Sequence, residues 1–316
     1  MIKSTYITEF RENELKQATD EFRKATDKST MENMPAIYEQ TKRVFSELFS
    51  AIAGIQGENP VGRITISLIR ISAWEERQRA KIEVYDNDEI VGRLLYETQT
   101  DVSYIFTEWE NYRKRIVDMA EAKGVRRYIK DPVIRLFMEE RLTDMASYLY
   151  AIYKYILIDA EEIENYGLMN TIPGFMITIG EYMDWQKVLY AEVPPIDLAD
   201  VDESSPAMYA RFKNKIYRDL HIRGADLEST KFTDCKFYRC TFENVNLNDA
   251  LFENCQFKDV VMKSGTMYGA VMKKCIRVQS DFSGMQTKWE PFQGTDEEYD
   301  IYADSIGIDT QEETEQ

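Results

Sequence analysis

The residues best suited to chemistry in this chain of 316 residues are one histidine and four cysteines. A nucleophile–histidine–acid triad would have to use His221, because the chain has no other imidazole. Cys240 follows Cys235 by five residues, and Cys255 and Cys275 follow Cys235 at steps of twenty. There is no C-x-x-C pair, the spacing typical of a zinc site. We therefore predict that His221 is a polar surface residue and that the thiols neither bind metal nor attack a substrate.

Other motifs that could carry chemistry are weak. Gly54-Ile-Gln-Gly57 lacks the third glycine of a dinucleotide-binding loop, and there is no GxxxxGK[ST] sequence for a phosphate loop. The carboxylates of Glu139-Glu140 and of 159–162 are more typical of solvated helix faces than of a general acid or base. We predict no catalytic residue, no cofactor and no metal ligand. An enzyme or effector with an unrecognised active site in residues 1–200 stays as an alternative.

A period of five residues between Leu220 and Phe282 is the strongest pattern in the chain. Every fifth residue is bulky or apolar, with Arg277 as the exception, and the residue two places earlier is mostly small. This period fits neither a helix nor a flat strand, but it fits a chain that turns a corner every five residues and coils into a solenoid. The predicted core consists of Leu227, Phe232, Phe237, Phe242, Leu247, Phe252 and Phe257 in the bulky register and Ala225, Cys235, Cys240, Ala250, Cys255 and Cys275 in the small one.

Four stretches resemble the pentapeptide-repeat family, whose consensus is A(D/N)LXX: Ala225-Asp-Leu-Glu-Ser, Cys240-Thr-Phe-Glu-Asn, Val245-Asn-Leu-Asn-Asp and Ala250-Leu-Phe-Glu-Asn. The resemblance implies a right-handed quadrilateral β-helix over residues 220–284, with four pentads per coil and both registers pointing inward. Residues twenty apart then stack, in coils about 4.8 Å apart, so three of the thiols form one column. Buried in this way, the cysteines serve as small apolar packing residues. The thirteen pentads make about three coils.

The whole chain is predicted to be a multidomain α plus β protein. Its segments in chain order are a mainly helical N-terminal domain (1–193) with an antiparallel β meander near 62–97, a linker (194–205), a capping helix (206–219), the repeat solenoid (220–284) and an acidic, disordered tail (285–316). The capping helix is predicted from the spacing of Met208, Phe212, Ile216 and Leu220, and it would cover the open first coil.

Within the N-terminal domain the hydrophobic period changes along the chain. Strand alternation is found at 64–68 and 80–84 and predicts, with a third strand at 90–96, the meander. Helical spacing predicts the remaining elements. These are a helix over 6–28, a second helix from Pro35 to Ile52, a third over 102–119 closed by Gly124, a long helix that begins at Asp131-Pro132, and a last helix near 176–192.

Charge limits the classes of partner. The net charge is −17, and residues 285–316 hold ten acidic residues and one basic residue, whereas the repeats are close to neutral. A nucleic-acid partner is disfavoured because phosphate contacts need Lys and Arg. The basic clusters Arg126-Arg127 with Lys130, and 211–218, are interpreted as solvated faces. No segment predicts a secretory signal or a membrane span, and packed free thiols favour a reducing, cytoplasmic location, which the repeat family suggests is bacterial.

The preferred hypothesis is a non-catalytic protein–protein interaction or scaffold protein. The helical domain would recognise a partner of unknown identity, and the solenoid would be a rigid platform or an oligomerisation unit, for example in a homodimer. The family resemblance also implies an alternative, a topoisomerase- or gyrase-binding DNA mimic. A neutral solenoid of about three coils counts against that alternative, because mimicry needs a long acidic surface.

Overall fold

The computed structural model describes residues 2–87 and 92–287, and the chain divides into two compact units, Met1–Ala191 and Glu192–Gln316. The first unit combines helices with one sheet, and the second is a β solenoid. This arrangement confirms the predicted fold class. Residues beyond 287, which include nearly all of the predicted acidic tail, lie outside the described residues.

A single long helix runs through the first unit. Helix α1 (Ile2–Phe10) and helix α2 (Lys16–Ile55) are joined by one π-helical stretch, Arg11–Leu15, so the helical path is unbroken. The prediction of two separate helices is therefore wrong, because Pro35 lies inside α2. Proline in a helix interior removes a hydrogen bond and costs about 3 kcal/mol. Packing of a buried stripe on both sides of it, with Phe22 before and Phe45 after, outweighs that cost.

Three shorter helices follow: α3 (Trp109–Ala122), α4 (Asp131–Glu139) and α5 (Leu142–Leu157). Gly124 has a left-handed backbone just past α3, where the sequence predicted the helix to end. Pro132 occupies the first turn of α4, as expected, since its missing N–H is not needed there. The predicted long helix is divided into α4 and α5 at residues 140–141.

The sheet of the first unit has five strands in the order β3-β2-β1-β4-β5. Its strands are β1 (Val61–Leu68), β2 (Arg79–Tyr85), β3 (Leu94–Asp101), β4 (Thr171–Glu181) and β5 (Gln186–Ala191). β1, β2 and β3 form the predicted antiparallel meander. The helix predicted near 176–192 is wrong, since β4 pairs parallel to β1 and antiparallel to β5. Ile177 and Ile179 alternate with Thr178 and Gly180, a strand period that the helical interpretation overlooked.

The second unit is built from short strands on successive sides of a square coil. The strands are β6 (Arg211–Lys213), β7 (Ile216–Arg218), β8 (His221–Arg223), β9 (Lys231–Thr233), β10 (Lys236–Tyr238), β11 (Thr241–Glu243), β12 (Leu251–Glu253), β13 (Gln256–Lys258), β14 (Val261–Thr266), β15 (Val271–Lys273), β16 (Ile276–Val278) and β17 (Asp281–Gln286). They form three parallel four-stranded sheets, ordered β6-β9-β12-β15, β7-β10-β13-β16 and β8-β11-β14-β17. Paired residues are twenty apart, as in Phe237 and Phe257. Isolated bridges through Asn246 mark the fourth side.

The solenoid begins one coil earlier than predicted. Residues 206–219 contain β6 and β7, so the prediction of a capping helix there is wrong, and four strands per sheet give four coils rather than three. Phe212 and Tyr217 continue the bulky register at five-residue steps before Ile222. Lys215 occupies the position of a small residue, and this departure from the pattern hid the first coil.

The segment predicted as a linker, 194–205, covers the first coil instead. Leu198 and Val201 are buried in the solenoid core, and Val193 and Ile196 pack against it. A 3₁₀ turn over Leu198–Asp200 shapes this segment, and the Asp197 carboxylate accepts a hydrogen bond from the Ala199 N–H at its start. An irregular segment therefore performs the capping role that the sequence assigned to a helix.

Candidate interaction surface of the solenoid

The solenoid turns its corners through residues with left-handed backbone. From Asn214 to Gln279 such a residue recurs every five positions without a break, and Gly224 and Gly269 are two of them. Most of these corners carry Asn, Asp, Ser or Gly, the residues that tolerate positive φ best. Arg239 and Lys274 are bulkier exceptions, with φ of 54°. Corner side chains point outward, so these positions can vary with function.

The interior is filled by the bulky register. Phe232 stacks on Phe252 with ring centroids 4.7 Å apart, and Phe237 stacks on Phe257 at 5.1 Å, with both pairs of rings nearly parallel. Of the thirteen residues predicted for the repeat core, the structure buries twelve and leaves Cys275 partly exposed. Rings packed in this way occupy the space between the four walls. Only outward-facing side chains can therefore meet a partner.

The thiols point inward, as small packing residues do. The Sγ atoms of Cys235 and Cys255 donate to the carbonyl oxygens of Phe212 and Phe232 at 3.3 and 3.4 Å, and Cys275 makes the same contact with Phe252. The two neighbouring thiols and burial raise the pKa of Cys255 well above its ordinary value, so that thiol stays protonated. A protonated thiol facing a backbone carbonyl is a poor nucleophile.

His221 lies on the outer side of β8 within a ladder of charges. Its Nε2 is 3.1 Å from Oε2 of Glu243 in the next coil, and Lys263 Nζ in the coil after that is 3.7 Å from Oε1 of the same carboxylate. The hydrogen bond from His221 and the charge of Lys263 lower the pKa of Glu243. Across residues 2–87 and 92–287, no three His, Cys, Asp or Glu side chains are grouped as a metal site requires.

One side of the solenoid is basic. We call it the basic face and define it by the segments 214–219, 234–239, 254–259 and 274–279, which contain β7, β10, β13 and β16. Its exposed charges are seven cations, Lys215, Arg218, Lys236, Arg239, Lys258, Lys274 and Arg277, and three anions, Asp219, Asp234 and Asp259. The opposite side, 224–229 and 244–249, has three acidic residues and no basic one. The solenoid is thus polarised across its width, although the chain as a whole is acidic.

Aromatic and apolar groups accompany the charges of the basic face. The Arg218 guanidinium lies 4.4 Å from the centre of the Tyr238 ring, and Arg239 forms a two-point ion pair with Asp219 at 2.6 and 2.8 Å. Ile216 is 60% exposed. Ile276 and Val278 of the last coil are 44% and 43% exposed, respectively. Three exposed aliphatic residues therefore lie on the same wall as the cations.

The first unit holds a half-buried carboxylate between α2 and α5. The Tyr148 hydroxyl donates to Oδ1 of Asp27 at 2.7 Å, and Arg23, one helical turn earlier, forms an ion pair with Asp144 at 3.2 Å. Burial raises the pKa of Asp27 to about 6, although the Tyr148 hydrogen bond and the Arg23 charge oppose that shift. Sequence reasoning missed this group because one Asp in a helix of 40 residues gives no signal until its partner helix is known.

A family model for pentapeptide repeats, with nine copies, matches residues 221–271. This match coincides with the coils whose twenty-residue register is described above. Residues 221–271 are pentapeptide repeats. The pentapeptide-repeat solenoid extends beyond the matched segment at both ends, because β6 and β7 precede it and β16 and β17 follow it.

Solved structures of QnrB1, described as a plasmid-mediated fluoroquinolone resistance protein, are among those to which this chain is similar. The full-length form is 24% identical, with a TM-score of 0.25, and the match covers 29% of this chain and 43% of QnrB1. A trypsin-treated form has the same identity and coverage, with a TM-score of 0.23. This chain thus spans less than half the length of these relatives. No curated protein matches it.

The basic face of the pentapeptide-repeat solenoid is the feature that sequence reasoning missed. Lys215 and Arg218 were assigned to a helix, which separated them from Lys236 and Lys258 of the following coils. Sorting the outward residues at steps of twenty would have placed them together.

In the described ranges on either side of residues 88–91, no helix has the length and apolar character to span a bilayer.

Proposed function

We propose that this protein is a non-catalytic binding scaffold, in which the pentapeptide-repeat solenoid is a rigid platform and the unit Met1–Ala191 recognises a protein partner. The filled interior of the solenoid is the observation that carries this proposal. Since rings and thiols occupy the inside, chemistry or binding by this unit has to use its outer walls or its end strands. Repeat solenoids commonly use such walls as extended binding surfaces.

The backbone supports the role of a rigid platform. Three of the four walls are parallel sheets with four strands each, and every outward side chain is followed by another one coil further on. The coils repeat at about 4.8 Å, so columns of side chains keep a fixed spacing. A partner that binds such a surface finds its contacts already in place, which reduces the entropy lost on association.

A DNA mimic that binds gyrase is less well supported. Residues 206–287 carry thirteen basic and nine acidic residues, whereas a surface that imitates duplex DNA needs a dense run of anions. The side chains of the solenoid that could act in catalysis do not favour an enzyme either. His221 contacts Glu243, and the thiols face inward.

Self-association is a second form of the scaffold proposal. β15, β16 and β17 are the last strands of their sheets, and such strands leave backbone groups that can pair with another chain. Sedimentation velocity of the purified chain over a hundredfold concentration range tests this form. A dimer that appears as the concentration rises would support it, and a monomer throughout would limit the scaffold to other partners.

The main test is a quantitative pull-down from a lysate of the source organism. The baits are the full chain, residues 1–191 and residues 192–316, each checked for folded structure by circular dichroism. We expect a protein enriched by the full chain and by one unit, which then binds the purified chain at a defined stoichiometry in calorimetry. No such protein, together with a metabolite that raises the melting temperature, would overturn the proposal in favour of small-molecule binding or catalysis.

A further inference from the structure

We propose that the basic face binds an acidic segment of a partner protein, one that also carries apolar side chains. This inference rests on the platform role proposed above for the solenoid, and it adds a binding surface on the solenoid and the chemistry of the segment that this surface binds. Three features of the face support it: its charge, the arrangement of its cations in columns, and its exposed apolar residues.

The charge of the basic face stands out against the rest of the molecule. This wall carries seven exposed cations and only three exposed anions, while the whole chain has a net charge of −17. An acidic ligand is repelled by the molecule in general and attracted at this side. Such a contrast orients the ligand before contact and speeds its association at low salt.

Three cations of the basic face, Arg218, Lys236 and Lys258, lie in columns that hold no acidic residue, whereas Arg239 pairs with Asp219 in its own column. On the neighbouring walls, carboxylates lie between cations of adjacent coils: Lys273 is 3.1 Å from Glu253, and Lys263 is 3.7 Å from Glu243. On the basic face, the column that contains Lys236 and the column that contains Arg218 and Lys258 include no acidic residue. Glu253 and Glu243 thus each pair with a cation of a neighbouring coil, whereas the two columns of the basic face offer their cations to a ligand.

Exposed apolar residues identify the ligand as protein rather than nucleic acid. Ile216 at one end of the face is 60% exposed, and Ile276 and Val278 at the other end are 44% and 43% exposed. A phosphate backbone binds cationic side chains and gains nothing from contact with aliphatic ones. The negative net charge of the chain also opposes binding of a DNA duplex. A peptide with both carboxylates and large apolar residues would cover the cations and the aliphatic groups together.

Fluorescence anisotropy with the full chain tests this inference. The probe is a labelled 15-residue peptide in which Asp and Glu alternate with Phe and Ile. The double variant Lys236→Glu with Lys258→Glu should weaken binding by more than about tenfold. The control variant Lys114→Glu with Lys130→Glu has the same change in charge at exposed positions on α3 and just before α4, and it should stay within about twofold of the parent chain. Equal weakening by both variants would overturn the inference, because net charge alone would then explain binding.

The apolar contribution needs its own variant. Ile216→Ser with Val278→Ser leaves the charge unchanged and should weaken binding of the peptide by about fivefold, without weakening a control peptide in which Ser replaces Phe and Ile. No effect on either peptide would overturn the assignment of a mixed acidic and apolar ligand. Duplex DNA that binds more tightly than the peptide, with the same dependence on Lys236 and Lys258, would indicate a nucleic-acid surface.

Two further experiments distinguish this inference from binding of the chain's own acidic segment and from failure of the scaffold function. Residues 288–316 are themselves acidic, so a chain that ends at Thr287 is compared with the full chain. A gain in peptide affinity of more than about tenfold on truncation would identify the chain's own segment as the occupant and overturn the partner assignment. If a protein captured by the full chain still binds the Lys236→Glu, Lys258→Glu variant, the scaffold function stands and this surface is wrong. If the parent chain captures nothing, the scaffold function itself fails.

Discussion

The two units bury their polar groups in different ways. In the first unit, the Tyr148 hydroxyl donates a hydrogen bond to Asp27 across two helices. In the solenoid, one kind of hydrogen bond recurs in successive coils: the thiols of Cys235 and Cys255 each donate to a carbonyl oxygen 23 residues earlier. In a repeated environment each coil reproduces the contacts of its neighbour, so a change in one coil affects the coils that stack on it. A singular environment can hold a strained or titrating group that the surrounding packing supports.

A charge in the solenoid core should produce the largest effect. Phe252 is fully buried and stacks on Phe232 of the preceding coil, so Phe252→Asp leaves a carboxylate without a partner. We expect a loss of more than about 4 kcal/mol in the free energy of unfolding of the solenoid. Asn254→Asp is the matched control, since it adds the same group at an outward corner where Asp is common. Circular dichroism melts measure both variants, and an unchanged melting temperature for Phe252→Asp would refute the inward register.

Thiol reactivity should differ sharply along the cysteine column. Cys235, Cys240 and Cys255 are buried, and Cys275 at the end of the column is partly exposed. We expect Cys275 to react first with a thiol reagent, while the other three react on the order of a thousandfold more slowly, through opening of the coils. Mass spectrometry of the labelled peptides assigns each rate. Rapid labelling of Cys255 in the folded protein would contradict both the column and the raised pKa of that thiol.

The carboxylate of Asp27 should make the stability of the first unit depend on pH. Its folded pKa of about 6 exceeds the ordinary value of 3.8, so the native state holds the proton more tightly than the unfolded chain. The stabilisation is complete below about pH 4 and is lost as the pH rises through 6. Because the carboxyl is only half buried, solvent screening reduces the full conversion of this shift to about 1 kcal/mol.

Asp27→Asn isolates this effect because the amide oxygen can still accept from Tyr148. Chemical unfolding at pH 4 and at pH 7.5 should show that the parent chain loses about 1 kcal/mol more than the variant between the two values. Asp118→Asn removes an exposed carboxylate and should behave as the parent chain does. The same loss in the parent chain and in Asp27→Asn would show that burial does not raise the pKa of this group.

The contrast between the units also explains what sequence reasoning could predict. Each pentad position occurs in many copies, so Phe232, Phe242 and Phe252 indicate the same inward register even though Arg277 departs from it. The first unit offers one copy of each element. β4 pairs with β1 through Ile64 and Ile177, which are more than a hundred residues apart, and no local pattern encodes that pairing. The strand period near Ile177 was therefore taken for a helix.

Local departures caused the remaining differences between prediction and structure. Considered alone, Pro35 indicates the start of a helix and Lys215 interrupts the register of small residues. The surrounding packing nevertheless places Pro35 inside α2 and Lys215 in the first coil. The basic face could be predicted only with the correct first coil, because its columns run through all four coils. The sequence specifies which residues point outward, whereas the structure determines which of them are neighbours.

The smallest effect, at the corners, tests whether local propensity still matters in a repeated fold. Lys274 adopts a φ of 54° at an exposed corner, a conformation that Asn tolerates better than Lys. Lys274→Asn should therefore raise the free energy of unfolding by about 0.5 kcal/mol. Lys258→Asn makes the same exchange at an exposed strand position, where Asn is disfavoured, and should lower it by a similar amount. The two variants lose the same charge. Changes of opposite sign in their free energies of unfolding therefore follow only if backbone conformation controls the outcome. If both variants instead raise the free energy of unfolding in paired denaturant titrations, removal of a cation from the basic face dominates over backbone conformation.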